Sequence, residues 1–125
     1  MIKNMTIKAI HVDLDDNLKK YINKKIGRLD KYLKSDLKNK LIAEVYLKES
    51  KNKDRNNCYF EVNLIFPNEK ITAEESTLNM YAAVDIVEEK LKHQLIKYNQ
   101  KHHSVKFYRH LINKFKNKHI KSINN

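Results

Sequence analysis

The stretch CYFEVNLIFPNEKITAEESTLNMYAAVDIVEEKL, from Cys58 to Leu91, changes its hydrophobic period once. Between Cys58 and Phe66 every second residue is apolar: Cys58, Phe60, Val62, Leu64 and Phe66. That alternation predicts a strand with one face in a core. "PNEK" reads as a tight turn, in which Pro67 cannot donate to a ladder. "ITAEES" reads as a short further strand. From Thr77 or Leu78 the spacing becomes three and four, through Met80, Val84, Val87, Leu91, Leu95 and Tyr98. This predicts an amphipathic helix reaching about Lys101.

Upstream, "NKLIAEVYLKES" places Leu41, Ala43, Val45 and Leu47 on one face of another strand, and the charged "SKNKDRNN" loops from it to Cys58. Leu18, Ile22, Ile26, Leu29 and Leu33 form the apolar stripe of a helix from about Asp15 to Leu33. Gly27 lies inside it, at a cost of about 1 kcal/mol against Ala; close packing on a sheet is one reason for it, which the sequence alone does not decide. Residues 2–10 alternate, with Met5, Ile7 and Ala9 on one side. The predicted order is β-α-β-β-β-α. This is an α+β fold, a four-stranded sheet with two amphipathic helices on one face. Lys8, Glu44, Tyr46, Lys48, Tyr59, Glu61 and Asn63 should line the other face and meet solvent. One domain is expected over residues 1–101. Residues 102–125 form a basic extension for which disorder and helix are both open.

One Gly and one Pro in 125 residues agree with long regular elements. The single Cys58 excludes an internal disulfide and a CxxC site, and its apolar alternating run predicts a buried core thiol. No apolar run is long enough to span a bilayer, and the N-terminal residues read as a strand rather than a secretory signal. A cytoplasmic protein is the expectation. The charge is unevenly placed. Residues 1–89 carry 16 Lys and Arg against 15 Asp and Glu, whereas residues 90–125 carry 10 Lys and Arg and no acid. A block of like charge without internal partners suits a polyanion, RNA first and a membrane surface second.

No enzyme motif is present: a Gly-rich phosphate loop, HExxH and G-x-S-x-G are all missing. No cofactor is implied. His102 and His103 have no Cys or acid nearby to complete a metal site. Asp13, Asp15 and Asp16 read as carboxylates at a helix N-terminus rather than a metal cluster. The remaining candidate is a basic surface. Lys90, His93, Lys97 and Lys101 form a stripe on the second helix, with Lys92 off it and nearer the outside. Lys20, Lys24, Arg28 and Lys31 form another on the first helix, with Lys25 beside them. Helices packed side by side would set the two stripes along one groove that grips phosphates. Tyr81 and Tyr98 could add base stacking, with a core-edge role also open for Tyr81.

"NMYAAVDIVEEKLKHQLIKY" (Asn79–Tyr98) resembles the signature of the ribosome hibernation promoting factor family, which includes the ribosome-associated inhibitor, protein Y. The family pattern is Asp or Asn, MYAAID, a gap, then KL-x-RQL-x-K. Here it stands as Asn79, Met80, Tyr81, Ala82, Ala83, Val84 and Asp85, then Lys90, Leu91, Gln94, Leu95 and Lys97. "YINKKIGRLDKYL" (Tyr21–Leu33) is similar to the family's first helix and "KITAEES" to its last strand, so the resemblance covers roughly residues 3–101. It implies a β-α-β-β-β-α fold like that of double-stranded-RNA-binding domains. It also implies a non-enzymatic factor, monomeric when free, that binds the small ribosomal subunit and whole ribosomes. Such a factor covers the mRNA channel and the A- and P-site transfer RNA positions, and silences and protects idle ribosomes, with promotion of ribosome dimers left open. Family rRNA contacts map onto Lys25, Arg28, Lys90, Lys97 and Lys101, and the neighbouring Lys24, Lys92 and His93 complete the candidate set. The family's Arg before "QL" is His93 here, which lacks a guanidinium fork; Lys92 is the cation that could replace it. The tail is basic, unlike the acidic extension of the ribosome-associated inhibitor type. It is also too short for the dimerisation domain of the long type, which points to a short form. The alternative reading is a general double-stranded-RNA-binding protein.

Overall fold

A computed structural model of the chain describes residues 1–50 and 57–102, and the side chains as far as Asn99. The elements are β1 (Asn4–Ile10), α1 (Asp16–Gly27), a 3-10 turn (Arg28–Tyr32), α2 (Ser35–Lys40), β2 (Ile42–Glu49), β3 (Cys58–Ile65), β4 (Lys70–Thr77) and α3 (Met80–His102). The strands lie in the order β1-β2-β3-β4. β1 and β2 are parallel, with Ile7 opposite Val45. A parallel pair needs a crossover, and α1, the turn and α2 supply it. β2–β3 and β3–β4 are antiparallel. The sheet is therefore mixed.

The alternating residues of β2 and β3 bury one face of the sheet. Ala43, Val45, Leu47, Phe60, Val62 and Leu64 are essentially inaccessible, and they join Leu18, Ile22 and Ile26 of α1 and Val84, Val87, Leu91 and Leu95 of α3 in one core. Cys58 is buried there, and desolvation pushes its thiol pKa up. Asp15 caps α1: its Oδ1 accepts the Leu18 amide at 2.8 Å. Asn79 does the same for α3, accepting the Tyr81 amide at 2.8 Å, so the helix starts at Met80, slightly later than the periodicity alone suggests.

The first helix is shorter than expected. It stops at Gly27, and a 3-10 turn continues to Tyr32. The tighter turn sets residues three apart on one side, so that Leu29 and Tyr32 both reach the core. Gly27 serves the N-terminal segment rather than the sheet. The Ile2 amide donates to its carbonyl at 2.8 Å, and a Cβ there would meet the Met1 Cε at 2.8 Å. α2 has no signal in the sequence, because "SDLKNK" buries none of its residues fully. β4 runs eight residues, as long as β2 and β3. Of the expected loop at 50–57, the ends are described, with the Ser50 amide donating to the Asn57 carbonyl at 2.9 Å, while 51–56 lie outside the described residues, as does the extension beyond His102.

The opposite sheet face is largely polar, with exposed Ile10 and Ile42 toward its ends, and one of its expected solvent-facing residues is covered. Asn63 is only 5% exposed. Its neighbours roof it: Thr72 Oγ1 donates to its Oδ1 at 2.6 Å, and its Nδ2 donates to Glu61 Oε2 at 2.9 Å. The Tyr59 hydroxyl lies 2.5 Å from both Glu61 Oε1 and Glu74 Oε2. Burial and these carboxylates push the Tyr59 pKa up, while the Tyr59 and Asn63 hydrogen bonds hold Glu61 below the usual carboxylate range.

Candidate nucleic-acid interface

The two helices lie beside each other on the sheet, and their cations fall into three settings. Lys20, Lys24 and Arg28 share the outward side of α1 and the turn, and all three are exposed. Arg28 Nε donates to the Lys24 carbonyl at 2.9 Å, which fixes the root of the guanidinium on the helix end.

The seam between α1 and α3 is the second setting. Its contents are aromatic and acidic as well as basic. The Tyr21 hydroxyl donates to Asp85 Oδ1 at 2.5 Å, and the Tyr21 ring meets Tyr81 edge to face at 5.0 Å. Lys25 Nζ sits 3.6 Å from Asp85, 3.9 Å from Glu88 and 5.6 Å from the Tyr21 ring centroid. Burial, reinforced by the Asp85 contact, pushes the Tyr21 pKa up to about 12. The expected phosphate-gripping groove between two basic stripes is therefore not there. Asp85 and Glu88 occupy that position, because i, i+3 spacing on α3 turns them toward α1.

Lys92 belongs to this flank and corrects a second expectation. It is 3% exposed, not outward. Its ammonium lies 3.1 Å from Glu89 and 3.7 Å from Glu88. It cannot replace the family arginine at His93 without leaving both carboxylates. Nearby, Asn99 ties α3 to the 3-10 turn. Its Nδ2 donates to the Tyr32 carbonyl at 2.7 Å and to the Leu95 carbonyl at 2.9 Å.

The third setting is the β4 side of α3. Lys90 Nζ lies 2.6 Å from Glu75 Oε2 and donates to the Glu74 carbonyl at 2.9 Å. Gln94 Nε2 donates to the Thr72 carbonyl at 3.1 Å. These carbonyls point out from an edge strand, so Lys90 and Gln94 cover groups that would otherwise recruit another strand. The Lys90 hydrogen bond and charge hold the Glu75 carboxyl below its ordinary range. Lys97, one turn on, is exposed and borders a depression with Glu69, Lys70 and Gln94. His93 is exposed on the outer side of the helix, and Lys101 lies within the α3 backbone span. Tyr98 is no platform for bases. It is buried and stacked on Phe66 at 4.4 Å.

Sequence reasoning did not foresee the joint role of Tyr21, Asp85 and Glu88, nor Asn99. Asp85 stood in the quoted signature, but its partners lie on another helix. Among the described residues no group of His, Cys, Asp and Glu is arranged to hold a metal ion, and no helix is long and apolar enough to cross a membrane.

Comparison with known proteins agrees with the signature read above. The chain is 37% identical over 98 residues to a ribosome hibernation promotion factor of Lactococcus lactis subsp. cremoris, covering 78% of this chain and 50% of that protein. It is 34% identical over 92 residues to one of Staphylococcus aureus, covering 71% of this chain and 46% of that protein. The chain thus spans about half the length of these curated relatives. In structure it resembles the N-terminal domain of protein Y from Thermus thermophilus, with a TM-score of 0.63, 24% identity, and coverage of 76% of this chain and 98% of that one. A ribosomal subunit interface protein from Coxiella burnetii gives 0.62 at 21% identity, over 78% and 98% of the two chains. These last two likenesses establish the α+β fold with its four-stranded sheet. The family model described as sigma 54 modulation protein / S30EA ribosomal protein matches residues 5–103, and the chain belongs to that family, alongside the ribosome hibernation promotion factors.

Proposed function

We propose that this chain is a non-enzymatic, cytoplasmic ribosome-binding factor that silences and protects idle ribosomes. The observation that carries this reading is the family match across residues 5–103, with relatives named ribosome hibernation promotion factors. On this reading the small subunit and its rRNA are the partners, the free protein is a monomer, and the bound protein occupies the mRNA channel and transfer RNA sites. The fold's likeness to double-stranded-RNA-binding domains belongs to the same proposal. Exposed Lys24, Arg28, His93 and Lys97 are the first contacts with phosphate, together with Lys101. Lys25 and Lys90 join by exchanging a carboxylate for a phosphate. Lys92 contributes only if its pairs with Glu88 and Glu89 open. The basic residues Arg109, Lys114, Lys116 and Lys118 continue along rRNA beyond the domain.

The test is co-sedimentation with vacant ribosomes and isolated small subunits, with an unrelated RNA duplex in excess. Binding that resists the duplex is expected. Loss of binding to the duplex would show a general double-stranded-RNA binder instead. A peak of paired ribosomes would assign the dimer-promoting mode. With about six phosphates neutralised, log affinity should fall with log salt at a slope near −4 to −5. Lys97→Ala should reduce that slope by about one unit. Deleting residues 104–125 should lower both affinity and slope; unchanged values would remove the tail from the interface.

A further inference from the structure

The outward side of the helix layer is not uniformly charged. At the start of α3 it carries Leu78, 68% exposed, with Tyr81 and Ile86 38% and 39% exposed. Ala82 is exposed between them. Exposed apolar side chains clustered at one end of a helix layer, beside exposed charges of both signs, mark a candidate contact surface. The Tyr81 ring is held rather than loose. Its amide is fixed by Asn79, and its ring abuts Tyr21, which Asp85 in turn anchors through the hydroxyl. An edge-to-face pair leaves part of the Tyr81 ring uncovered. Lys24 and Arg28 follow Tyr21 along the exposed side of the neighbouring segment.

We propose that Tyr81, braced by Tyr21 and Asp85, is a stacking site for an unpaired nucleobase of RNA. The pairing of a rigid, part-exposed aromatic ring with cations a turn or two away fits a nucleotide, whose base is apolar on its face and whose phosphate is anionic. The seam does not repel it outright: Lys25 and Lys92 offset two of the three carboxylates Asp85, Glu88 and Glu89, and the exposed Lys24 and Arg28 outweigh the remaining charge. The surface is thereby suited to a splayed-out base in a loop or single strand, rather than only to duplex backbone. This rests on the ribosome-binding reading above and adds a base contact to its phosphate contacts.

The two kinds of contact separate by salt. Stacking changes affinity without changing the number of counterions released, whereas a lysine contact changes the slope. The experiment titrates small subunits with wild-type protein, Tyr81→Phe and Tyr81→Leu at several salt concentrations, with melting temperatures measured in parallel. Tyr81→Phe should bind like wild type. Tyr81→Leu should bind about 5- to 150-fold more weakly at every salt concentration, with the slope unchanged. The same ratio should hold on protein-free small-subunit rRNA. Wild-type affinity in Tyr81→Leu, a changed slope, or a loss that follows its melting temperature would overturn the stacking site and leave subunit binding standing. A ratio seen on subunits but absent on bare rRNA would assign the patch to a ribosomal protein and also overturn it. Failure of the wild-type protein to bind subunits at all would instead overturn the function proposed above.

Discussion

Lys90 and Lys92 stand two residues apart on α3 and face opposite flanks. Lys90 looks toward β4 and keeps 45% of its side chain in solvent while it covers a strand edge. Lys92 looks toward α1, with 4% of its side chain accessible, paired with the largely buried Glu88 and the exposed Glu89. The same residue type is thus a surface clasp on one flank and a buried ion on the other. Charge counted along the sequence is not charge available to a ligand, because the 100° step of the helix distributes neighbouring lysines into different dielectric surroundings.

The sharpest way to break this comparison is to remove the buried member. Lys92→Ala leaves Glu88 enclosed with Lys25 at 3.9 Å as its remaining cation. Breaking a buried pair on one side costs about 3 kcal/mol. A lower urea midpoint at unchanged slope is the expected result. A Lys92→Ala protein as stable as wild type would show that this flank is wetter than its burial implies. Asn99→Ala comes next. It removes the donor that serves the Tyr32 carbonyl, at about 2 kcal/mol, and hydrogen exchange should rise first in the 3-10 turn.

Tyr21→Phe is milder, about 1 kcal/mol at neutral pH, since one hydrogen bond is lost while the ring contact with Tyr81 stays. Its signature is in alkali. The folded-state pKa of Tyr21 is raised above 10.0, to about 12. The contribution of the hydroxyl is therefore complete below the unfolded value and is lost as pH rises from 10.0 toward about 12. The stability gap between wild type and Tyr21→Phe should narrow across that interval. A gap that stays constant there would mean that the hydroxyl is neither desolvated in the seam nor held by Asp85.

How much of this was legible beforehand follows from which residues carry local information. The alternation at Cys58–Phe66 and the three–four spacing after Met80 report burial directly, and the core followed them. The break at Gly27 did not show, because Leu29 and Leu33 fit an α-helical stripe equally well, and the approach of Ile2 and Met1 to Gly27 comes from a segment distant in sequence. The candidate contact residues were identified by type and spacing, and Lys24, Arg28, His93 and Lys97 do stand exposed. Which others were engaged depended on partners far away in sequence. Lys90 is held by β4 and Lys25 by α3, and no periodicity within one helix encodes either contact. The parallel pairing of β1 with β2 was invisible for the same reason.

The smallest expected effect tests the exposed member of the comparison. Glu75 accepts from Lys90 at 2.6 Å, and that hydrogen bond, followed by the lysine's charge, lowers the carboxyl pKa from 4.5. A depressed folded value means that the pair's contribution is present above 4.5 and disappears as pH falls through the folded value. An exposed pair contributes little to global stability, and salt screens it. Wild type and Glu75→Gln should therefore differ only slightly in urea midpoint near neutral pH, and should converge in acid. The consequence to look for is at the strand edge. Lys90→Ala combined with Gln94→Ala uncovers the Glu74 and Thr72 carbonyls together. That double variant should self-associate with rising concentration in sedimentation velocity, although its midpoint barely moves. If it stays monomeric, β4 is protected by its own twist and charge, and the clasp on this flank matters only for holding Lys90 in place until a phosphate competes for it.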